Sequence, residues 1–254
     1  AASDVYKRQT LHVVQIPMNK RNLLCILILL LASSLMHTQK VNTEILTGMD
    51  NSKIVGDTIQ LERETYNAFI KMKDAAEKDG IKIKIVSGFR DFYRQQTIWN
   101  NKYKKFTEEF LLDGPSAIQE IIRFSTIPGT SRHHWGTEID VIDENFKNEK
   151  NLLIAKKYEE GGIFNSLKKW MDKNSEKFGF YIVYDDNDKR PGFEYEPWHY
   201  TYKPVSNLYH TEFLKLDLKS IISKTKLAGK EFINEEFIKK YIDENIMGIS
   251  SHLK

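Results

Sequence analysis

The chain has 254 residues, 41% hydrophobic and 29% charged, an ordinary balance for a soluble globular protein. That length accommodates one full domain with appendages, or one domain plus a small second one. The formal net charge is +3, but residues 1–40 hold five basic residues against one acidic, leaving 33 against 34 in the remainder. This leaves no electrostatic case for nucleic acid as a partner.

Residues 1–17 carry neither a hydrophobic period nor a leader pattern and read as upstream translation or a sequence artefact. From Met18 a pattern emerges. Asn19, Lys20 and Arg21 form a short positive region, Leu23 to Leu31 is an unbroken apolar run, and the small residues Ala32, Ser33 and Ser34 follow. This order predicts a secretory signal peptide over 18–40. The run is shorter than the roughly 20 apolar residues a membrane span needs. An uncleaved N-terminal anchor is the rival reading and the one route to membrane attachment. Cys25, the only cysteine, lies inside the leader with most of the run behind it, which argues against a lipoprotein. The exported part then has neither a disulfide nor a thiolate metal ligand. The expected location is the periplasm or cell envelope of a bacterium.

Residues 41–57 read as a polar, extended lead-in. From Thr58 to Asp79, Leu61, Tyr66, Phe69, Met72, Ala75 and Ala76 recur at helical spacing, and Gly80 supplies a stop. Ile81, Ile83 and Ile85 alternate with Lys82 and Lys84, the pattern of a half-buried strand. Asp91 is placed to cap a helix through Tyr103. A further helix is predicted over Pro115 to Phe124, before a Pro128-Gly129 turn. Strands follow at Thr137 to Ile142, Phe180 to Tyr184 and Trp198 to Tyr202. Residues 161–178 form a helix between the first two, and Asp185 to Gly192 a polar loop. With no regular βαβ repeat, the expectation is an α+β domain over 41–204, with a small, mainly antiparallel sheet flanked by helices. Residues 205–254 read as a helical C-terminal extension without chemistry, either a cap on the domain or a small accessory module.

Two segments concentrate reactive side chains: Ser131 to Asp140 (Ser-Arg-His-His-Trp-Gly-Thr-Glu-Ile-Asp) and Glu196 to His199 (Glu-Pro-Trp-His). Two histidines and an aspartate with one position left open suit a catalytic zinc, and a nearby carboxylate can act as base. His133 and Asp140 cannot face each other along one element, but Gly136 allows a turn that lets Asp140 enter on the strand that follows. His199 would join from a separate strand, which puts the metal site on the sheet. Spacing alone leaves the choice between His133 and His134 open, and manganese or iron beside zinc. Trp135 and Trp198 read as packing residues, His210 and His252 as surface or packing residues, and Glu138 and Glu194 as ordinary solvated carboxylates.

Ser131-x-His133-x-x-Gly136-x-x-x-Asp140, followed by Glu196-x-Trp198-His199 and preceded by Ser87-Gly88-Phe89-Arg90, resembles the zinc signature of VanY-type D-alanyl-D-alanine carboxypeptidases. The wider group includes D-Ala-D-Ala dipeptidases and phage L-alanyl-D-glutamate endopeptidases, and the resemblance covers roughly residues 58–204. It implies a zinc ion held by His133, Asp140 and His199, with Glu196 as catalytic base. It makes Arg90 the cation beside the scissile carbonyl and Ser131 a substrate contact. The implied substrates are peptidoglycan stem peptides, cut at the terminal D-Ala. Removal of a dipeptide, an internal cut, and a non-catalytic wall-binding relic are the alternatives. The chain departs from the pattern at Glu138, where the family often has alanine, and at Tyr200-Thr201-Tyr202, where relatives often carry an aromatic and an arginine. The loops expected to set specificity are 104–130 and 185–195.

Overall fold

A computed structural model describes residues 41–254, so the leader and the segment before it lie outside the described residues. Within 41–254 the fold is α+β, as the mixed pattern of strands and helices predicts. The main sheet has four strands, β3 (Ile83–Ser87), β4 (Glu138–Asp143), β5 (Phe180–Ile182) and β6 (His199–Tyr202), in the order β3-β4-β6-β5 with every neighbouring pair antiparallel. A small ribbon of β1 (Ile54–Val55) and β2 (Leu61–Glu62) lies outside it.

Residues 41–57 are not an extended lead-in. They contain the one-turn helix α1 (Thr43–Leu46), capped by Asn42 Oδ1 on the Ile45 amide, with Ile45 and Leu46 buried. Four residues are too few for helical periodicity to register. The next helix also starts later than its apolar spacing suggests. Leu61 and Glu62 pair with β1, and Glu62 accepts hydrogen bonds from the Glu64 and Thr65 amides, opening α2 at Arg63–Lys78. Asp91 caps α3 (Phe92–Lys104) through the Arg94 amide, as expected of an aspartate before a helical run. Helix α4 is Gly114–Ile122 and α5 is Asn165–Asn174.

Two cores flank the sheet. One joins Phe69, Met72 and Ala76 of α2 to Ile83, Ile139 and Val141 of the sheet and to Phe164, Leu167 and Met171 around α5. The other unites α3, α4 and Trp135 with the C-terminal helices α6 (Lys203–Phe213), α7 (Leu218–Ser223) and α8 (Glu235–Tyr241). Tyr209, Phe213, Ile222, Ile238 and Tyr241 are buried against Trp99, Ile118 and Ile121, so residues 205–254 build a core shared with earlier helices. Trp99 Nε1 donates to the Ala228 carbonyl across this seam at 3.0 Å.

Candidate metal centre and active-site cleft

Register and pleat assemble the centre. Asp140 on β4 stands opposite His199 on β6, and Glu138 stands opposite Thr201. Side chains two residues apart share a face, so all four project to the same side of the sheet. His133 arrives from a single 3₁₀ turn, Arg132–Trp135, which ends at Gly136 with φ +69°. A Cβ at Gly136 would lie 2.5 Å from Ile54 Cδ1 and 2.7 Å from the Glu62 amide nitrogen, so only glycine makes this turn into β4.

Donor atoms of His133, Asp140 and His199 lie within 4.8 Å of one another, and all three residues are buried. His199 Nδ1 is 3.0 Å from Asp140 Oδ1, and His133 Nε2 is 3.4 Å from Asp140 Oδ2. Each imidazole is fixed at its far side. His133 Nδ1 lies 2.8 Å from the Gly88 carbonyl and His199 Nε2 lies 3.0 Å from Glu138 Oε2, acceptors that call for N–H at both positions. The remaining ring nitrogens are the ones that face Asp140, and each offers a lone pair to a cation once its proton leaves. Asp140 Oδ1 is buried outside hydrogen-bond geometry, despite its 3.0 Å approach to His199. Two imidazole lone pairs and a carboxylate with unmet acceptor capacity fit one divalent cation, and the nitrogen–nitrogen–oxygen set suits zinc with an open position. His134 points away: Nδ1 donates to the Arg90 carbonyl at 2.6 Å and Nε2 accepts from the Gly129 amide. The choice between the two adjacent histidines thus rests on long-range contacts that spacing cannot encode.

The electrostatics show how strongly this cluster favours positive charge between its carboxylates. Burial would raise the Asp140 pKa, but His133 and His199 hold it far below the usual carboxylate range. Burial pulls His199 down, yet hydrogen bonds to Asp140 and Glu138 and their charges take it up to about 10. Burial keeps His134 neutral, with a pKa near about 3. Glu196 sits one turn before His199, its amide bonded to the Tyr184 carbonyl, and its Oε2 lies 3.4 Å from His199 Nδ1. Burial raises the Glu196 pKa to about 7, with Asp140 adding to the effect against His199 and Arg90.

Arg90 reaches the same cleft because β3 bulges between Ile85 and Ser87. A bulge bends a strand and re-aims the residues that follow. The guanidinium is held on two sides, Nη1 donating to Gln95 Oε1 at 2.8 Å and Nη2 to Ser87 Oγ at 3.0 Å. Gln95 is itself tied to the Thr126 carbonyl. Buried Ser131 lines the cleft, whose volume is about 520 Å³. Its walls come from Phe124 to Thr126 and from Phe193, Tyr195 and Glu196, within or beside the loops the sequence singles out, and also from Leu153 to Ala155. That third wall had no local signal, being an irregular segment with neither period nor reactive side chain.

Glu138 requires a correction. It is not a solvated carboxylate: it is fully buried, ion-paired with Arg132 at 3.2 Å and bonded to His199, Thr201 and Thr137. Burial opposes ionisation, but Arg132 and His199 bring its pKa down to about 2. The period-2 pattern of β4 carried the missing signal, since a residue two before Asp140 on a strand must share its face. Glu194 is exposed and paired with Arg123, as expected of a surface carboxylate. Trp135 and Trp198 are buried packing residues, the first against Tyr209 and Phe213, the second against Tyr158.

A His/Asp/His cluster with a carboxylate and an arginine in one cleft is the make-up of a mononuclear metallohydrolase. Residues 58–205 match the sequence model of the VanY family, D-alanyl-D-alanine carboxypeptidase, and the chain belongs to that family. It is 31% identical over 143 residues to the Bacillus subtilis (strain 168) protein YodJ, covering 56% of this chain and 46% of that one. It is 28% identical over 141 residues to a D-alanyl-D-alanine carboxypeptidase of Enterococcus faecalis, covering 54% and 47%. The chain therefore spans about half the length of the curated relatives it matches. The structure of VanYB in complex with D-alanine-D-alanine aligns at a TM-score of 0.48 and 22% identity, over 72% of this chain and 88% of that one.

Proposed function

We propose that the protein is a zinc-dependent D-alanyl-D-alanine carboxypeptidase that removes the terminal D-Ala from peptidoglycan stem peptides outside the cytoplasmic membrane. The observation that carries this reading is the Glu196 carboxylate 3.4 Å from the ring of His199, in the same cleft as Arg90 and the His/Asp/His cluster. A leader over residues 18–40 agrees with a substrate outside the cell.

His133 Nε2, Asp140 and His199 Nδ1 would hold the ion. Bound zinc supplies Lewis acidity, polarising a carbonyl and acidifying water. Glu196 takes a proton from the attacking water as its oxygen bonds to the scissile carbonyl carbon. It returns that proton to the amine as the C–N bond breaks, yielding a shortened peptide and free D-alanine. Arg90, clamped by Gln95 and Ser87, presents a fixed positive charge to the oxyanion of the tetrahedral intermediate. Ser131 contacts the peptide from the cleft wall.

The test is incubation of the zinc-loaded protein with purified stem pentapeptide and mass spectrometry of the products. Loss of a single D-Ala is expected; an intact pentapeptide would overturn the assignment, and release of a dipeptide or an internal cut would move the protein to a neighbouring activity. Glu196→Gln should retain zinc and lose most turnover, whereas full activity in that variant would remove the base from Glu196.

A further inference from the structure

The Glu138 carboxylate divides its labour between its two oxygens. Oε1 is saturated: Thr201 Oγ1 donates to it at 2.5 Å, Thr137 Oγ1 at 3.1 Å, and Arg132 Nε lies 3.2 Å away. Oε2 takes the remaining contact, His199 Nε2 at 3.0 Å. Arg132 closes the ring by donating from Nη2 to Thr201 Oγ1 at 3.1 Å, and its guanidinium stacks on Trp135 at 4.6 Å. The network is buried, and Glu138 at its centre is 0% exposed.

A buried ion pair of this kind is a poor source of stability, because well-packed apolar side chains of similar volume often do as well. Its geometry has a directional consequence instead. Three contacts hold Glu138 still, and the fourth is aimed at the far nitrogen of His199. A carboxylate behind a metal-binding imidazole fixes ring orientation and tautomer and increases the ring's basicity toward the metal. The other imidazole, on His133, is backed by the neutral Gly88 carbonyl, so the two rings are tuned differently.

We propose that Glu138 is a positioning residue that acts through His199, holding Nδ1 toward Asp140 and setting the zinc affinity of the centre, with Arg132 as its fixed counter-charge. This inference rests on the metal-site reading above.

The test uses the full chain, stripped of metal with a chelator and titrated with zinc against a chelating dye. Wild type should bind zinc, and Glu138→Gln should bind it about 10- to 100-fold more weakly. Because Glu138→Gln alone strands the Arg132 charge, the double variant Arg132→Gln/Glu138→Gln is measured beside it. That variant should melt cooperatively and share the weakened affinity. In zinc-saturated protein, both variants should lower kcat more than they raise KM, a split that mere loosening of the fold does not produce. A folded double variant with wild-type zinc affinity overturns the inference. So does a wild-type, zinc-loaded NMR spectrum in which His199 carries its proton on Nδ1 instead of Nε2, a measurement that needs no substitution to fold. A wild-type protein that binds no zinc overturns the metal site itself, and is seen before any variant is made.

Discussion

Hydrogen bonds anchor the Arg90 guanidinium beside the bulged β3 strand, and it spends two donors on Gln95 and Ser87 rather than on a carboxylate. Burial lowers its pKa, but it stays cationic, partly through the charges of Asp140 and Glu196. A cation pre-placed beside a reacting carbonyl acts mainly on the transition state. Arg90→Ala should therefore lower kcat by about 10²- to 10³-fold, the range for loss of one oxyanion donor. Steady-state kinetics on a stem peptide check this, and a rise in KM with unchanged kcat would reduce Arg90 to a substrate clamp. Arg90, Ser131, His133, Asp140, Glu196 and His199, all legible as types in short motifs, line one cleft. Glu138 reads as a solvated carboxylate because a glutamate next to Thr137 looks like surface until strand register pairs it with Thr201. The distinction between His133 and His134 depended on the Gly88 and Arg90 carbonyls, more than forty residues upstream.

Among the elements, the strands were the most legible, because alternation of Ile83 and Ile85 with lysines marks a one-sided face. Short pieces were the least legible: α1 has one turn and β2 two residues, and their existence depends on tertiary partners such as Trp135, whose Nε1 donates to the Leu46 carbonyl. The C-terminal helices were recognisable as helices, but what they cover was not. Tyr241 of α8 shows it best. Its hydroxyl accepts from the Ile127 amide at 3.3 Å and meets Thr130 Oγ1 at 2.9 Å, steadying the loop that runs into the His133 turn. Tyr241→Phe keeps the ring and strands the buried Ile127 amide, a loss of about 1–3 kcal/mol. Urea melts of the two proteins measure it, and identical midpoints would mean that the loop stands without α8.

For the molecule as a whole, acid stability is set in part by histidines that the fold keeps neutral. His210, packed against the Trp135 ring with Nε2 unbonded, is held by burial at a pKa of about 4. An unfolded histidine titrates near about 6.5. Below that value the unfolded chain binds a proton that the folded chain refuses, so stability falls as pH drops from 6.5 toward 4. His210→Phe should flatten this slope relative to wild type. Urea midpoints at pH 7, 6, 5 and 4.5 supply the comparison, and parallel curves for the two proteins would exonerate His210.

The seam between the C-terminal helices and the rest of the fold also bears on how the protein comes into being. Trp99 waits for Ala228, 129 residues later, Ile127 waits for Tyr241, and the Val183 carbonyl waits for the Ser250 amide. A ribosome delivers the chain from its first residue onward, so Trp99, Ile127 and Val183 are translated well before the segments that brace them. Contacts of such long sequence separation are slow to form. Once His199 has been made, the nascent chain carries the complete set of reactive side chains but not the finished cleft until Tyr241 and Ser250 have followed, so hydrolytic competence arrives late.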